Sequence, residues 1–320
     1  MKSWTLNLKR LSLFLLKGSH LLLYFHRVGA EQEDFYPDGL SSHDLLQIIS
    51  SFQNLGFRFC SLSEAYAQAG SSRELTVSLT SDDGFACNYC EVLPMLQAHN
   101  IPLTLFMIGK CLDNLALAWN HKLIQIRQHS SAAQLQEAVK KLQTKYALAE
   151  DTELMRQIFS VPDQEKDALC DELWDRFCPE SQAAFLRRTQ PFLSAKQMQE
   201  LENSGVEFAL HSQSHADFSR LSFPAMVYEI QQNKNALAQY SNRIAPFFGF
   251  PYGKACHSEL IPQLCRESEI SACLGFRYRS SDNRHQDHLW QRISLEHAAA
   301  DSFEQLILRP LLRCFKHRNS

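Results

Sequence analysis

Long apolar runs are missing from this 320-residue chain, and with them any stretch of the length a transmembrane helix needs. Neither sign of charge dominates. The 32 Lys and Arg against 35 Asp and Glu leave a net charge of −3, which argues against a nucleic-acid binder and its basic surface. Glycine and proline, 11 of each, are too few for a low-complexity or disordered chain. No internal repeat at solenoid or propeller period occurs. A second cysteine pair, or a Cys/His pair at knuckle spacing, is also lacking. The run Cys87-Asn88-Tyr89-Cys90 therefore has no partner for a structural zinc site. The 10 cysteines lie scattered in a chain that is 45% hydrophobic and large enough to fold without staples. That usage predicts free, mostly buried thiols in a reducing compartment.

The N-terminal stretch 1–20 mixes Lys2, Lys9, Arg10 and Lys17 with Leu and Phe. Its apolar run 11–16 is short and closed by Lys17, so it does not read as a signal peptide. The expected location is cytoplasmic. Basic residues at both ends (Lys9, Arg10, Lys17; Arg309, Arg313, Lys316, Arg318) suit either a solvated surface or peripheral contact with an anionic membrane face.

What is present in quantity is short apolar runs separated by helical patterns. Runs at 21–25, 75–80, 102–108, 206–210, 244–250, 272–276 and 293–295 lack alternation, as strands covered on both faces do. Helices are predicted from Ser42 to Gly56, around 89–98, 195–203, 223–240, 258–268 and 302–314. This alternation predicts an α/β fold with a parallel sheet or barrel. Between 113 and 193 no strand pattern occurs, and three or four inserted helices are expected there. Such an insertion is either a surface elaboration or a lid or partner-docking element.

Three polar segments each follow a strand run, where parallel α/β folds build their sites. Asp82-Asp83-Gly84 places two carboxylates side by side, an arrangement that suits a cation or, more plainly, a helix cap. His211-x-x-x-His215 can point two imidazoles at one metal, or be a polar loop edge. Pro251-Tyr252-Gly253 marks a sharp turn that displays an aromatic ring.

Taken in this order, the three segments resemble the motifs of the NodB-type polysaccharide deacetylases, carbohydrate esterase family 4. Thr80 to Gly84 is similar to the family's Thr-Phe-Asp-Asp-Gly, His211 to His215 to its second motif, and Pro251-Tyr252-Gly253 to the end of its third. Tyr24-Phe25-His26-Arg27-Val28 and the segment 100–106 fit as well, so the likeness runs over about 21–304 with 113–193 unmatched.

The resemblance implies a distorted (β/α) barrel in one deacetylase-like domain, 1–320, carrying the helical insertion. It implies Asp82 as general base, and Asp83, His211 and His215 as ligands of a divalent metal. Zinc is the first choice, although this donor set suits other first-row ions. His297, in Leu295-Glu296-His297, matches the family's general acid. Trp290, in Asp287-x-x-Trp290, matches a further motif, and Trp290, His26, Pro251 and Tyr252 are expected beside the substrate. There are two departures. Ser81 stands where the family usually has Phe. Gly249 stands where many members carry the Arg that orients the base, so that charge either comes from elsewhere, with Arg292 a candidate, or is missing.

The implied activity is metal-dependent hydrolysis of an N-acetyl group from an amino sugar of a cell-surface polysaccharide or its precursor. The alternatives are a deformylase acting on a formamido sugar, and a non-catalytic carbohydrate-binding or scaffold protein with a decayed site. The expected partners are an N-acylated sugar or glycan, no nucleic acid, and a protein docked on the insertion.

Overall fold

Residues 20–29, 35–36, 39–148, 150–151, 153–276 and 287–296 are described by a computed structural model. The apolar runs form parallel strands. They are β1 His20–Phe25, β3 Thr76–Ser81, β4 Leu103–Met107, β5 Glu207–Leu210, β6 Ile244–Gly249, β7 Ala272–Gly275 and β9 Ile293–Ser294. Two short strands, β2 Arg58–Phe59 and β8 Leu289–Gln291, complete a nine-stranded sheet in the order β8-β7-β6-β5-β4-β3-β1-β9, with β2 beside the start of β3. Strands β8 and β9 are separated only by Arg292. The first pairs with β7 and the second with β1, so one continuous run bridges the two edges and the sheet wraps into a nearly closed barrel.

Successive residues serve opposite faces of each strand. Leu22, Phe106, Ala209, Phe247, Leu274 and Trp290 form one cluster. Their neighbours Leu21, Leu23, Leu105, Met107, Phe208, Leu210, Phe248 and Cys273 join a second one with the surrounding helices. Both faces are dry, which is why the sequence lost its polar/apolar alternation. The buried hydroxyl of Thr80 on β3 donates through Oγ1 to Leu23 O at 2.9 Å.

Helices α1 Ser42–Asn54, α2 Leu62–Gln68, α3 Leu93–Ala98, α9 Ala195–Asn203, α10 Phe223–Leu237 and α11 Ile261–Ser268 accompany the strands. Ser41, one residue earlier than expected, caps α1 by accepting from Asp44 N. Among its described residues the region 113–193 holds five helices, where three or four are expected. These are α4 Trp119–His129, α5 Ala132–Tyr146, α6 Leu154–Ser160, α7 Asp163–Phe177 and α8 Gln182–Thr189. They pack on a third cluster that includes Leu123, Ile158, Cys170 and Trp174 and is joined by Phe35, Phe85 and Ile108 from outside the region.

The ends of this region are stitched together. Asp113 N donates to Leu193 O (3.2 Å), Asn114 exchanges two hydrogen bonds with Phe192, and Ala195 N donates to Asp113 Oδ1 (2.8 Å). The segment that leaves the region also grips the residues after Asp83, through Leu193 N to Gly84 O and Ala86 N to Pro191 O. The helix predicted at 302–314 and the basic residues of both chain ends lie outside the described residues. No helix among the described residues is long and apolar enough to cross a membrane. All the described cysteines are free, and most are buried.

Candidate metal centre and its clamped carboxylate

Asp82 and His211 each stand one residue beyond a strand and extend its ladder by one bond. Asp82 N donates to Phe25 O (3.0 Å), and His211 N to Met107 O (3.2 Å). By strand periodicity both side chains fall on the barrel-interior face, above the cluster that holds Phe106 and Trp290. The chain then turns sharply. Asp83, Ser212, His215 and Tyr252 all have positive φ (68°, 67°, 61° and 58°), a region that non-glycine residues occupy at a cost. Such strain persists only where the surroundings hold it, and it gathers here at one place.

Helix α10 supplies much of that hold. Asn233 accepts from His211 N (2.8 Å) and donates to Met107 O (3.0 Å), bridging two strand ends. Glu229 accepts from Ser212 Oγ, Ser214 N and Ser214 Oγ at 2.8–2.9 Å, tying down the loop between the two histidines.

Asp83, His211 and His215 are the one group of potential ligands that converges among the described residues, with all ligand atoms within 4.8 Å of one another. Both imidazole Nε2 atoms lie 3.4 Å from Asp83 Oδ1. The ring tautomers follow from their other bonds. His211 Nδ1 donates to Gly249 O (2.8 Å), which only accepts. His215 Nδ1 donates to Asn120 Oδ1 (3.0 Å) and Tyr252 Oη (2.9 Å). Each Nε2 is thereby left with a bare lone pair. Asp83 Oδ1 and His215 Nε2 are buried with no hydrogen-bond partner. Three acceptors facing one another without a donor between them are satisfied by a cation, so the residues present fit a divalent metal.

Burial raises the Asp83 carboxyl, but the His215 ring and the hydrogen bond from His121 outweigh it and hold the group well below the usual carboxylate range. Burial keeps the His215 ring neutral, well below its ordinary value, despite the nearby carboxylate. An ionised acid and a neutral imidazole are the states that ligate.

Beside this triad, Asp82 is fully buried and bound at both oxygens by Arg292, with Nη1 to Oδ1 at 2.6 Å and Nη2 to Oδ2 at 2.8 Å. The guanidinium is packed against the rings of Tyr24, Phe106 and Phe276, with centroids 4.6–4.9 Å away. A Cβ at Gly249 would approach Arg292 Nη2 and His211 Nδ1 to 3.2 Å. Glycine is needed on β6 because the charge expected there comes instead from the junction of β8 and β9.

The other expected residues are placed as follows. Pro251 is buried and opens a short 3₁₀ turn. Tyr252 packs at a tilt against His215 and Trp119 and edge-on against Phe159. Burial, and then the nearby Asp83 charge, raises the Tyr252 phenol well above its ordinary value, so it stays protonated. His26 is half-buried and bonded through Nδ1 to Glu296 (2.5 Å). Burial opposes its charge, but Glu296 overrides this and raises the ring to about 10. Trp290 does not face the site. It is 1% exposed, packed against His20 and Tyr66 lower in the barrel, and leaves no surface for a substrate. Asp287 is exposed. His297 lies outside the described residues.

Two residues of the site went unrecognised in the sequence. Asn120 and His121, in the first turn of α4, bond to His215 and to Asp83 Oδ2 (3.0 Å) respectively. No local pattern marks them.

A family model described as polysaccharide deacetylase matches residues 69–164 and 178–270, more than half of the chain. The chain belongs to the polysaccharide deacetylase family, enzymes that remove acetyl groups from polysaccharides. Solved structures share the fold. The deacetylase PplD of Streptococcus pyogenes, in complex with acetate, superimposes with a TM-score of 0.56 at 15% identity, covering 90% of this chain and 98% of that one. IcaB from Ammonifex degensii gives 0.55 at 16%, covering 88% and 96%. A de-N-acetylase from Aggregatibacter actinomycetemcomitans gives 0.54 at 15%, covering 85% and 93%. Among curated proteins no sequence matches this chain.

Proposed function

We propose that this chain is a metal-dependent hydrolase that removes the N-acetyl group from an amino sugar of a cell-surface polysaccharide or its precursor. One observation carries the reading: three buried acceptors, Asp83 Oδ1, His211 Nε2 and His215 Nε2, converge beside a carboxylate clamped at both oxygens. Asp83, His211 and His215 would hold the ion, with zinc the first choice for two imidazoles and one carboxylate. A divalent ion there supplies Lewis acidity, lowering the pKa of water and polarising an amide carbonyl.

The chain's own groups do the rest. Arg292 uses one lone pair on each Asp82 oxygen, and the remaining lone pairs can take a proton from attacking water. As the water oxygen bonds to the carbonyl carbon, negative charge builds on the carbonyl oxygen. The backbone N–H of Tyr252 is assigned to that oxygen; loss of such a donor typically costs about 3–4 kcal/mol. The C–N bond then breaks, the amine needs a proton, and acetate and free amine result. The resemblance assigns this proton to His297. His26, which Glu296 keeps protonated, is a second group able to give it, and comparing His26→Gln with His297→Gln separates the two.

Acetyl is favoured over formyl by the family description and by the acetate in the PplD complex. Comparing acetate with formate release from matched sugars decides between them. A cytoplasmic location, membrane contact through the basic chain ends, and a protein partner on the insertion remain part of this proposal. Binding to anionic liposomes at low salt tests the membrane contact.

The decisive experiment pairs two variants. Asp82→Asn is expected to abolish turnover of N-acetylglucosamine oligomers with metal content intact, and His211→Ala to lose the metal. Full activity in either removes the mechanism, and a metal-free wild type favours the decayed-site reading.

A further inference from the structure

The insertion reaches into the metal centre. His121 is completely buried, in a cage formed by Phe35, Phe85 and Phe192, with ring centroids 5.2–5.6 Å away. In that cage it makes one hydrogen bond, from Nε2 to Asp83 Oδ2 at 3.0 Å. Its Nδ1 is buried with no partner. An imidazole in an aromatic cage with an unpaired nitrogen is a poor core residue, since the unpaired acceptor costs stability that a phenyl ring would not. Its neighbour Asn120, 8% exposed, places Oδ1 3.0 Å from His215 Nδ1.

The two contacts divide the work. A carboxylate with one oxygen held by a fixed donor cannot rotate, and its free oxygen, Asp83 Oδ1, stays turned toward both Nε2 atoms. An imidazole whose Nδ1–H is held by an amide oxygen keeps its lone pair on Nε2. His211 receives the same service from the barrel itself, through Gly249 O. The insertion thus holds Asp83 and, together with Tyr252 Oη at 2.9 Å, His215, while the sheet holds His211.

We propose that His121 and Asn120 of helix α4 are positioning residues of the metal centre, fixing Asp83 and the tautomer of His215, so that the 113–193 insertion is a structural part of the site and not a detachable cover. The proposal rests on the metal-dependent reading above. Such outer partners typically change metal affinity about 10–100-fold.

The test measures Zn²⁺ affinity by competition with a chelating dye, the Co²⁺ absorption spectrum, and the melting temperature of the metal-free protein. His121→Phe is expected to weaken Zn²⁺ binding about 10–100-fold and to alter the Co²⁺ spectrum. The metal-free protein loses the bond to buried Asp83 Oδ2 while it sheds the unpaired nitrogen, so the deciding readout is the rise in melting temperature on adding Zn²⁺, which should shrink. A purely structural role lowers the melting point of the metal-free protein and leaves both that rise and the Zn²⁺ affinity unchanged. Asn120→Leu should weaken binding and Asn120→Asp, which keeps an acceptor oxygen, should restore it. This pair decides the matter if His121→Phe does not fold. Wild-type affinity in His121→Phe or Asn120→Leu overturns the proposal. If wild type itself binds neither ion, the metal-dependent reading fails instead, which is a distinguishable result.

Discussion

Asp82 commits both oxygens to one guanidinium, and the two residues stand 210 positions apart in the chain. A lysine at 292 would keep the charge but offer no planar fork, so the carboxylate would be free to turn. Arg292→Lys is therefore expected to lower kcat about 10²-fold, the scale of an ångström misplacement at a reacting group. KM should change little, as measured by steady-state acetate release. Arg292→Met removes the counter-charge altogether. It should cost about 3–5 kcal/mol of stability in chemical denaturation, as breaking a buried pair does. Equal behaviour of the two variants would mean that the fork geometry is irrelevant.

At the scale of the element, the His211–His215 loop is held in shape by α10, a helix that provides no ligand. Glu229 receives three hydrogen bonds from the loop, while Ser212 and His215 adopt positive φ. Glu229→Ala frees those donors and should cost about 1–3 kcal/mol. It should also weaken Zn²⁺ binding, because the strained backbone that aims His215 would relax. Calorimetry of the metal-free and metal-loaded protein separates the two effects. A stability loss with unchanged affinity would show that the loop keeps its shape without the glutamate.

For the whole molecule, metal and proton should act on stability in opposite places. An ion bound only to the folded state stabilises it by about 4 kcal/mol at a free concentration 1,000 times Kd. Chelation should accordingly lower the melting temperature, and His211→Ala should abolish that response. At the far end of the barrel, His20 accepts or donates to Thr76 (2.8 Å) and Ser78 (3.1 Å). Burial, aided by the Arg58 charge, lowers its ring to about 3 from the ordinary 6.5. The unfolded chain binds a proton there that the folded one refuses between those values. The stability His20 allows is thus complete above pH 6.5 and falls as pH drops toward 3, by about 1.4 kcal/mol per pH unit. His20→Phe should flatten that part of the stability–pH curve, read by urea denaturation at several pH values.

Much of this architecture was legible before any coordinates. Seven apolar runs became seven strands, because burial on both faces leaves an uninterrupted signature. Strands β2 and β8 were not seen, since two or three residues show no period. Neighbouring short helices such as α6 and α7, separated by Val161 and Pro162, merge into one polar pattern, and the helices of the insertion were undercounted. The family resemblance puts Trp290 beside the substrate. The ring packs in the core because its strand is the one that closes the barrel.

The amino-acid sequence by itself determined the strand scaffold and set Asp82, Asp83, His211 and His215 just past strand ends, where the chain must turn. Only the tertiary structure decided what holds them: Arg292 on Asp82, His121 on Asp83, Asn120 on His215. Those bonds join residues from distant elements. Their geometry comes from barrel closure and from the docking of the insertion, which leave no local periodicity to read.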